Sequence, residues 1–387
     1  MRDILPPESA RWRRFTEVFA DVVERAGYGQ LIPPLLEDLG VFTRIGDATE
    51  IVTKEMYDFV DKGERHVALR PEGTAGVARA FIENGLAHRP QPLRLLYSGP
   101  MFRYEKMQRG RYRQFAQIGI ELLGSSAPQA DVEVLLALHD FLAALGFTDH
   151  RIVLNNLGDP DDRPRFIEGL KAELAPHRDQ LCGDCQRRWD ANPLRILDCK
   201  VPRCRELVQR TTPIADIVSD AAKAHVAAVE SGLESVGVPV ERSPRLVRGL
   251  DYYLRTVFEV VSPELGEDTV ICGGGRYDRL ISDLGGADVP GIGFAIGEDR
   301  LIEVLPEEFR SRVLDRPTVA VLPVGDGASG PALGLARDLV AVGVSVRTEV
   351  TGRSLKAGLK WAAKIDAAVA VIVGETELES GTAIVRD

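Results

Sequence analysis

The chain is 387 residues long, 44% hydrophobic and 27% charged, the profile of a soluble globular protein with room for two or three domains. Its net charge of −10 argues against a general nucleic-acid coat protein but leaves local basic surfaces open. Met1-Arg2-Asp3-Ile4-Leu5-Pro6-Pro7-Glu8 has no apolar stretch of the kind a secretory signal needs, and no apolar run reaches the roughly 20 residues that span a bilayer. Five cysteines cannot all pair within one chain, so reduced thiols and a cytoplasmic location are expected.

In chain order, Trp12, Phe15, Val18, Phe19, Val22 and Val23 recur at helical spacing and predict a helix over 9–26, with Gly27 as its stop. The prolines of Ile32-Pro33-Pro34-Leu35-Leu36-Glu37 predict extended chain, and a short helix runs from Thr74 to Asn84. Alternation predicts antiparallel strands at 93–98, 101–106 and 112–122, the last two forming a hairpin around the basic loop Met107-Gln108-Arg109-Gly110-Arg111. A helix near 131–145 and strands at 151–154, 248–261 and 269–272 complete a sheet-based body. Residues 159–240 are polar, helical in pattern and hold four of the five cysteines; they read as a domain inserted into that body. After Asp315-Arg316-Pro317, strands at 318–324, 344–350 and 367–373 alternate with helices at 331–342 and 354–364. The fold class is therefore α+β: an antiparallel-sheet domain over 1–316 with a helical insertion at about 159–240, then a small, largely parallel α/β domain over 317–387.

The segment Arg248-Gly249-Leu250-Asp251-Tyr252-Tyr253 opens an apolar strand with a guanidinium, a carboxylate and two phenols. That is an odd core strand and a reasonable wall for a small anionic ligand; the bland alternative is an edge strand with an ion pair. Three further segments combine arginine with glycine or aromatic residues. They are Leu69-Arg70-Pro71-Glu72-Gly73-Thr74, the hairpin bearing Phe102-Arg103-Tyr104-Glu105, and Gly291 to Arg300. On the second hairpin arm, Arg111, Arg113, Gln117 and Glu121 share parity, so period-two geometry sets them on one sheet face. Such a face suits a nucleotide triphosphate beside a zwitterion. Cys272-Gly273-Gly274-Gly275-Arg276-Tyr277-Asp278 lacks the Lys-Ser/Thr ending of a phosphate loop. Its glycines read as allowing close backbone approach to a ligand, against the alternative of a loose turn.

On these residues the chain resembles a class II aminoacyl-tRNA synthetase, and within that class the bacterial-type histidyl-tRNA synthetase family. Pro33-Pro34-Leu35-Leu36-Glu37, Phe102-Arg103-Tyr104-Glu105 with its loop, and Gly291 to Arg300 resemble the three class motifs. The segments 248–253 and 273–278 resemble the two histidine-specific signatures. The resemblance implies activation of L-histidine by ATP, then transfer to the 3′ end of histidine tRNA, by a homodimer. It implies that Arg103 and Arg248 are catalytic, and that Arg103, Arg111 or Arg113, and Arg300 hold ATP. Glu72, Thr74 and Gln117 would take the substrate ammonium, Glu121, Tyr253 and Tyr277 the imidazole, and Arg248 the carboxylate and α-phosphate. Magnesium is implied with the triphosphate. The first helix and the Pro33-Pro34 stretch would fit a dimer interface. The class II fold is implied with the final domain as an anticodon-binding domain, ending early at Asp387 and so predicting weak tRNA charging with adenylation retained.

Three departures from the family pattern stand out: the opening Met1-Arg2-Asp3, Ala116 in place of a larger residue, and Lys106-Met107 in the loop. Arg353, Lys356, Lys360 and Lys364 share a helical face that reads equally as an RNA-facing patch or a solvated one. Cys182-Gly183-Asp184-Cys185 with Cys199 and Cys204 is a zinc alternative in which only the first pair has good spacing, and the expectation is no metal. His66, His88, His139, His150, His177 and His225 show no ligand or triad spacing and read as structural or surface residues. The rival function is a non-catalytic paralogue serving as regulatory subunit of ATP phosphoribosyltransferase, which normally lacks the anticodon domain.

Overall fold

The computed structural model describes residues 2–44, 51–107, 110–248, 252–262, 270–314 and 318–387. The chain forms two compact units, 1–310 and 311–387.

The first unit opens with helix α1 (Glu8–Arg25) and strand β1 (Gly29–Gln30). A small antiparallel sheet of 36–38, 66–69 and 57–60 follows, then α2 (Thr74–Glu83). Next come β2 (Leu93–Phe102), β3 (Gln114–Leu123), α3 (Pro128–Ala144) and β4 (Arg151–Asn156). The segment read as an insertion supplies α4 (Asp162–Leu174), α5 (Gly183–Ala191), α6 (Pro202–Gln209), α7 (Asp220–Ser235) and β5 (Val240–Arg242). Strands β6 (Leu254–Val261), β7 (Val270–Arg276) and β8 (Gly291–Gly297) close the unit's main sheet. Its order is β1-β2-β3-β8-β7-β6-β4-β5, antiparallel except at the two outermost pairings.

Strand parity separates the two faces. Ile118, Ile120 and Leu122 point into a core with Phe15 and Phe19 of α1 and Phe141 of α3, whose rings meet edge-on at 5.4 and 5.1 Å. Gln117 and Glu121 point the other way, toward α2 and the site. Helix α7 belongs to the first core through Val229 and Leu233, whereas α4 to α6 pack on the opposite side with Phe81 and Tyr97. The 159–240 segment therefore divides between two cores.

Three strand expectations are corrected. Residues 93–102 form one strand, with Gly99 opposite Gln117 and Pro100 opposite Ala116. Proline is tolerated there because β1 flanks only Leu95 and Leu96, which leaves Pro100 on an open edge. Strand β6 begins at Leu254 rather than 248, so Arg248, Tyr252 and Tyr253 lie ahead of the strand; Gly249, Leu250 and Asp251 lie outside the described residues. Strand β7 runs through all three glycines instead of ending at Cys272, so they are neither a loop nor a turn.

The second unit holds β9 (Thr318–Pro323), α8 (Ser329–Ala341), β10 (Ser345–Thr348), α9 (Leu355–Lys364) and β11 (Ala367–Val373). A helix at Glu375–Ser380 and strand β12 (Ile384–Arg386), both absent from the sequence reading, complete it. The order β10-β9-β11-β12 is parallel except for β12. Alternate β9 residues serve opposite faces: Ala320 and Leu322 pack on α9, Val321 on α8.

Candidate active site

The cavity lies on the sheet face away from α1 and α3, and its volume is about 1110 Å³. Glu72, Thr74, Arg103, Arg111 and Gln117 line it, as do Arg248, Tyr253 and Arg300, so residues from four distant segments meet in one place.

The floor comes from α2 and β3. Glu72 accepts the backbone N–H groups of Thr74 (2.7 Å) and Ala75 (2.8 Å), which cap the start of α2. Burial raises the Glu72 carboxyl, while those two bonds and Arg103 oppose the rise. Gln117 accepts from the Gly73 N–H at 3.2 Å. Glu121 lies just below the cavity wall, 1% exposed, and accepts from the Thr74 hydroxyl at 2.6 Å and from the Tyr277 hydroxyl. Burial pushes its carboxyl up to about 8 against the pull of those two donors. Tyr277 thus reaches the cavity through Glu121. Tyr252 and Tyr253 meet at 4.7 Å with their rings tilted by 52°, and Tyr252 meets Tyr277 edge-on at 5.7 Å.

Cations form the opposite wall. Arg103 donates to the Pro71 carbonyl at 2.8 Å, lies over the Phe115 ring and approaches Glu105 at 3.7 Å. Arg111 shares that Glu105 at 3.6 Å. Arg300 donates to the Val270 carbonyl at 3.0 Å. Burial and then repulsion from Arg111 hold the Arg300 guanidinium below its ordinary value, so the two cations reinforce one field. Arg248 is paired with Glu259, which more than offsets the cost of its burial, while its Nε is buried with no hydrogen-bond partner.

Arg248 lies across the glycine run: a Cβ on Gly273 would fall inside its guanidinium. One on Gly274 would strike the Gly293 carbonyl and Phe258, and one on Gly275 would meet the Thr256 carbonyl at 2.7 Å and Tyr253 at 2.9 Å. The three glycines admit the protein's own side chains and neighbouring strands, and so set where Arg248 and Tyr253 stand.

Several sequence readings resolve differently. Arg113 does not line the cavity; its guanidinium sits 3.8 Å from the Tyr104 ring centre. Arg276 is a structural pin, fully buried and paired with Asp131 and Asp278. Arg70 is another, donating to the Pro33 and Pro100 carbonyls at 2.9 Å each. His225 completes the Asp131 site at 3.2 Å, and His139 meets His150 at 2.9 Å. Gln108 and Arg109 of the basic loop lie outside the described residues. Sequence reasoning assigned no role to Glu105 or Glu259, the counter-ions of the cationic wall. Glu259 was detectable as the lone carboxylate between Val257 and Val261 at alternate positions of β6.

A family model described as histidyl-tRNA synthetase matches residues 1–159 and 200–301, and one described as anticodon binding domain matches 318–387. A histidine–tRNA ligase of Desulforamulus reducens is 42% identical over all of this chain and 92% of its own length. One of Desulforudis audaxviator is 44% identical with the same coverage. The apo histidyl-tRNA synthetase of S. aureus superposes with a TM-score of 0.81 at 31% identity, covering 100% of this chain and 96% of its own. The cavity and these matches lead to one conclusion: the chain belongs to the histidyl-tRNA synthetase family.

Proposed function

We propose that this chain activates L-histidine with ATP and transfers the histidyl group to the 3′ end of histidine tRNA. The observation that carries the reading is the pairing, in one cavity, of a cationic wall with a buried carboxylate floor. A zwitterionic amino acid and a nucleotide triphosphate need those two surfaces side by side. The rival regulatory role loses ground because relatives covering the whole chain are named as ligases.

The reaction needs no protein nucleophile. The histidine carboxylate attacks the α-phosphorus and pyrophosphate leaves; the tRNA ribose hydroxyl then attacks the acyl carbon and AMP leaves. The protein supplies position and charge. Within that reading Arg248 and Arg103 serve the carboxylate and α-phosphate, and Arg111 and Arg300 the distal phosphates. Glu72 and Gln117 retain acceptor lone pairs for the ammonium, while Thr74 acts mainly through Glu121. Glu121 accepts an imidazole N–H, Tyr277 orients Glu121, and Tyr253 walls the ring. The carboxylates are spread among cations rather than grouped as an oxygen cage, so magnesium arrives with the triphosphate. We also place the working protein as a homodimer in the cytoplasm. Among the described residues no helix is long and apolar enough to cross a membrane.

The test is ATP–pyrophosphate exchange. Exchange should depend on histidine, and Arg248→Ala should lower it by about 10²–10³-fold with the fold retained. No histidine-dependent exchange sinks the activity; near-normal exchange in the variant sinks only the role of Arg248.

A further inference from the structure

Helices α5 and α6 carry a second group of chemistry-bearing side chains beside the cavity. Cys182 immediately precedes α5 and Cys185 lies in its first turn. Cys199 follows the short 3-10 turn Pro193–Ile196, and Cys204 lies in the first turn of α6. In sequence the second pair is too widely spaced for a tight knuckle. The fold removes that difficulty, because Pro202 starts α6 directly after extended Val201 and turns Cys204 back toward α5.

All four sulphurs lie within 4.8 Å of one another, three of them buried and Cys182 half-buried. Cys182 Sγ and Cys199 Sγ are 3.8 Å apart. A tetrahedral ion with metal–sulphur bonds of about 2.3 Å needs ligand sulphurs about 3.8 Å apart. The Cys182 N–H donates to Cys204 Sγ at 3.2 Å, a contact that supports a thiolate. All four cysteines are unbridged. Four soft donors closing around one point select a tetrahedral thiophilic ion, and leave no open position for catalysis.

We propose that Cys182, Cys185, Cys199 and Cys204 hold a structural zinc ion, each thiol losing its proton on coordination. Three of the four lie outside residues 1–159 and 200–301, so the family match does not carry this site. The ion ties the start of α5 to the start of α6. It also fixes the strip Leu197 to Lys200, which lines the cavity and includes the ligand Cys199 itself. Short helices with little core of their own gain stability from such a staple.

The full chain, purified under reducing conditions without chelator, should retain about one zinc per chain by elemental mass spectrometry. Cobalt(II) in its place should give the strong visible bands of a tetrahedral tetrathiolate. Cys199→Ser and Cys204→Ser should lose most of the metal, while Cys272→Ser, at the fifth cysteine, should keep it. If the serine variants do not fold, the zinc content and cobalt spectrum of the unaltered chain decide. Reduced protein that carries no zinc and takes up none from micromolar free metal overturns the proposal. So does a disulfide among the four in freshly isolated protein.

Discussion

Glu121 is the clearest case of a side chain whose protonation is set by its place. Its carboxyl is pushed by burial from an ordinary 4.5 to about 8. Between those values the folded chain keeps a proton that the unfolded chain has lost. Stability therefore falls as pH rises through that window, by up to about 1.4 kcal/mol per pH unit for the one proton. Glu298, also raised to about 8 by burial, keeps part of the slope when Glu121 is changed. Urea unfolding of Glu121→Gln between about pH 5 and 8 should accordingly give a flatter profile than the unaltered chain. Identical profiles would show that Glu121 is ionised throughout. Parity made this residue legible, since Gln117 and Glu121 lie within β3 and do share a face. Ahead of the strand, which starts at Gln114, parity no longer decides: Arg111 lines the cavity and Arg113 lies against Tyr104. Arg276 had no assigned role, and nothing local in the sequence tells that Asp131 waits for it from α3.

At the scale of elements, β7 shows that glycine can shape a site by seating the protein's own side chains. Gly274→Ala would drive a methyl into the backbone of β8, which cannot step aside, and should cost about 1–3 kcal/mol in denaturant unfolding. In Gly273→Ala the atoms nearest the new methyl are those of the Arg248 guanidinium, the far end of a flexible side chain. It should leave stability within about 1 kcal/mol yet lower histidine-dependent exchange toward the level of Arg248→Ala. Full exchange in Gly273→Ala would mean that the seat of Arg248 is not needed. The strands and long helices were legible from periodicity, including α1 and α3. The continuity of β2 through Pro100 was not, because edge status is a property of the sheet. The four cysteines were legible as a possible set, but the closing of the second pair was not, because it comes from a helix start rather than a knuckle.

For the whole molecule, the change of texture after Asp315-Arg316-Pro317 suggests a sheet body followed by a small α/β unit, while the compact units divide between 310 and 311, and the closing strand β12 is too short to show in the sequence pattern. The apolar face of α1 is spent on its own core, and for the proposed homodimer we assign the interface to Ile32, Leu35 and Leu36, which are 80%, 42% and 48% exposed beside the edge strand 36–38. Light scattering should give twice the 42.3 kDa chain mass, and Ile32→Glu with Leu36→Glu should halve it. A single-chain mass for the unaltered protein would overturn the dimer.

The ion pairs of Arg248 with Glu259, and of Arg103 and Arg111 with Glu105, carry a consequence for a molecule of net charge −10. Three cations lean on two tethered anions, Glu259 and the shared Glu105. An arriving phosphate or carboxylate is therefore a replacement, and every glutamate it displaces becomes a place for a positive charge. Loading such a cavity is an exchange of salts in which anion and cation travel together.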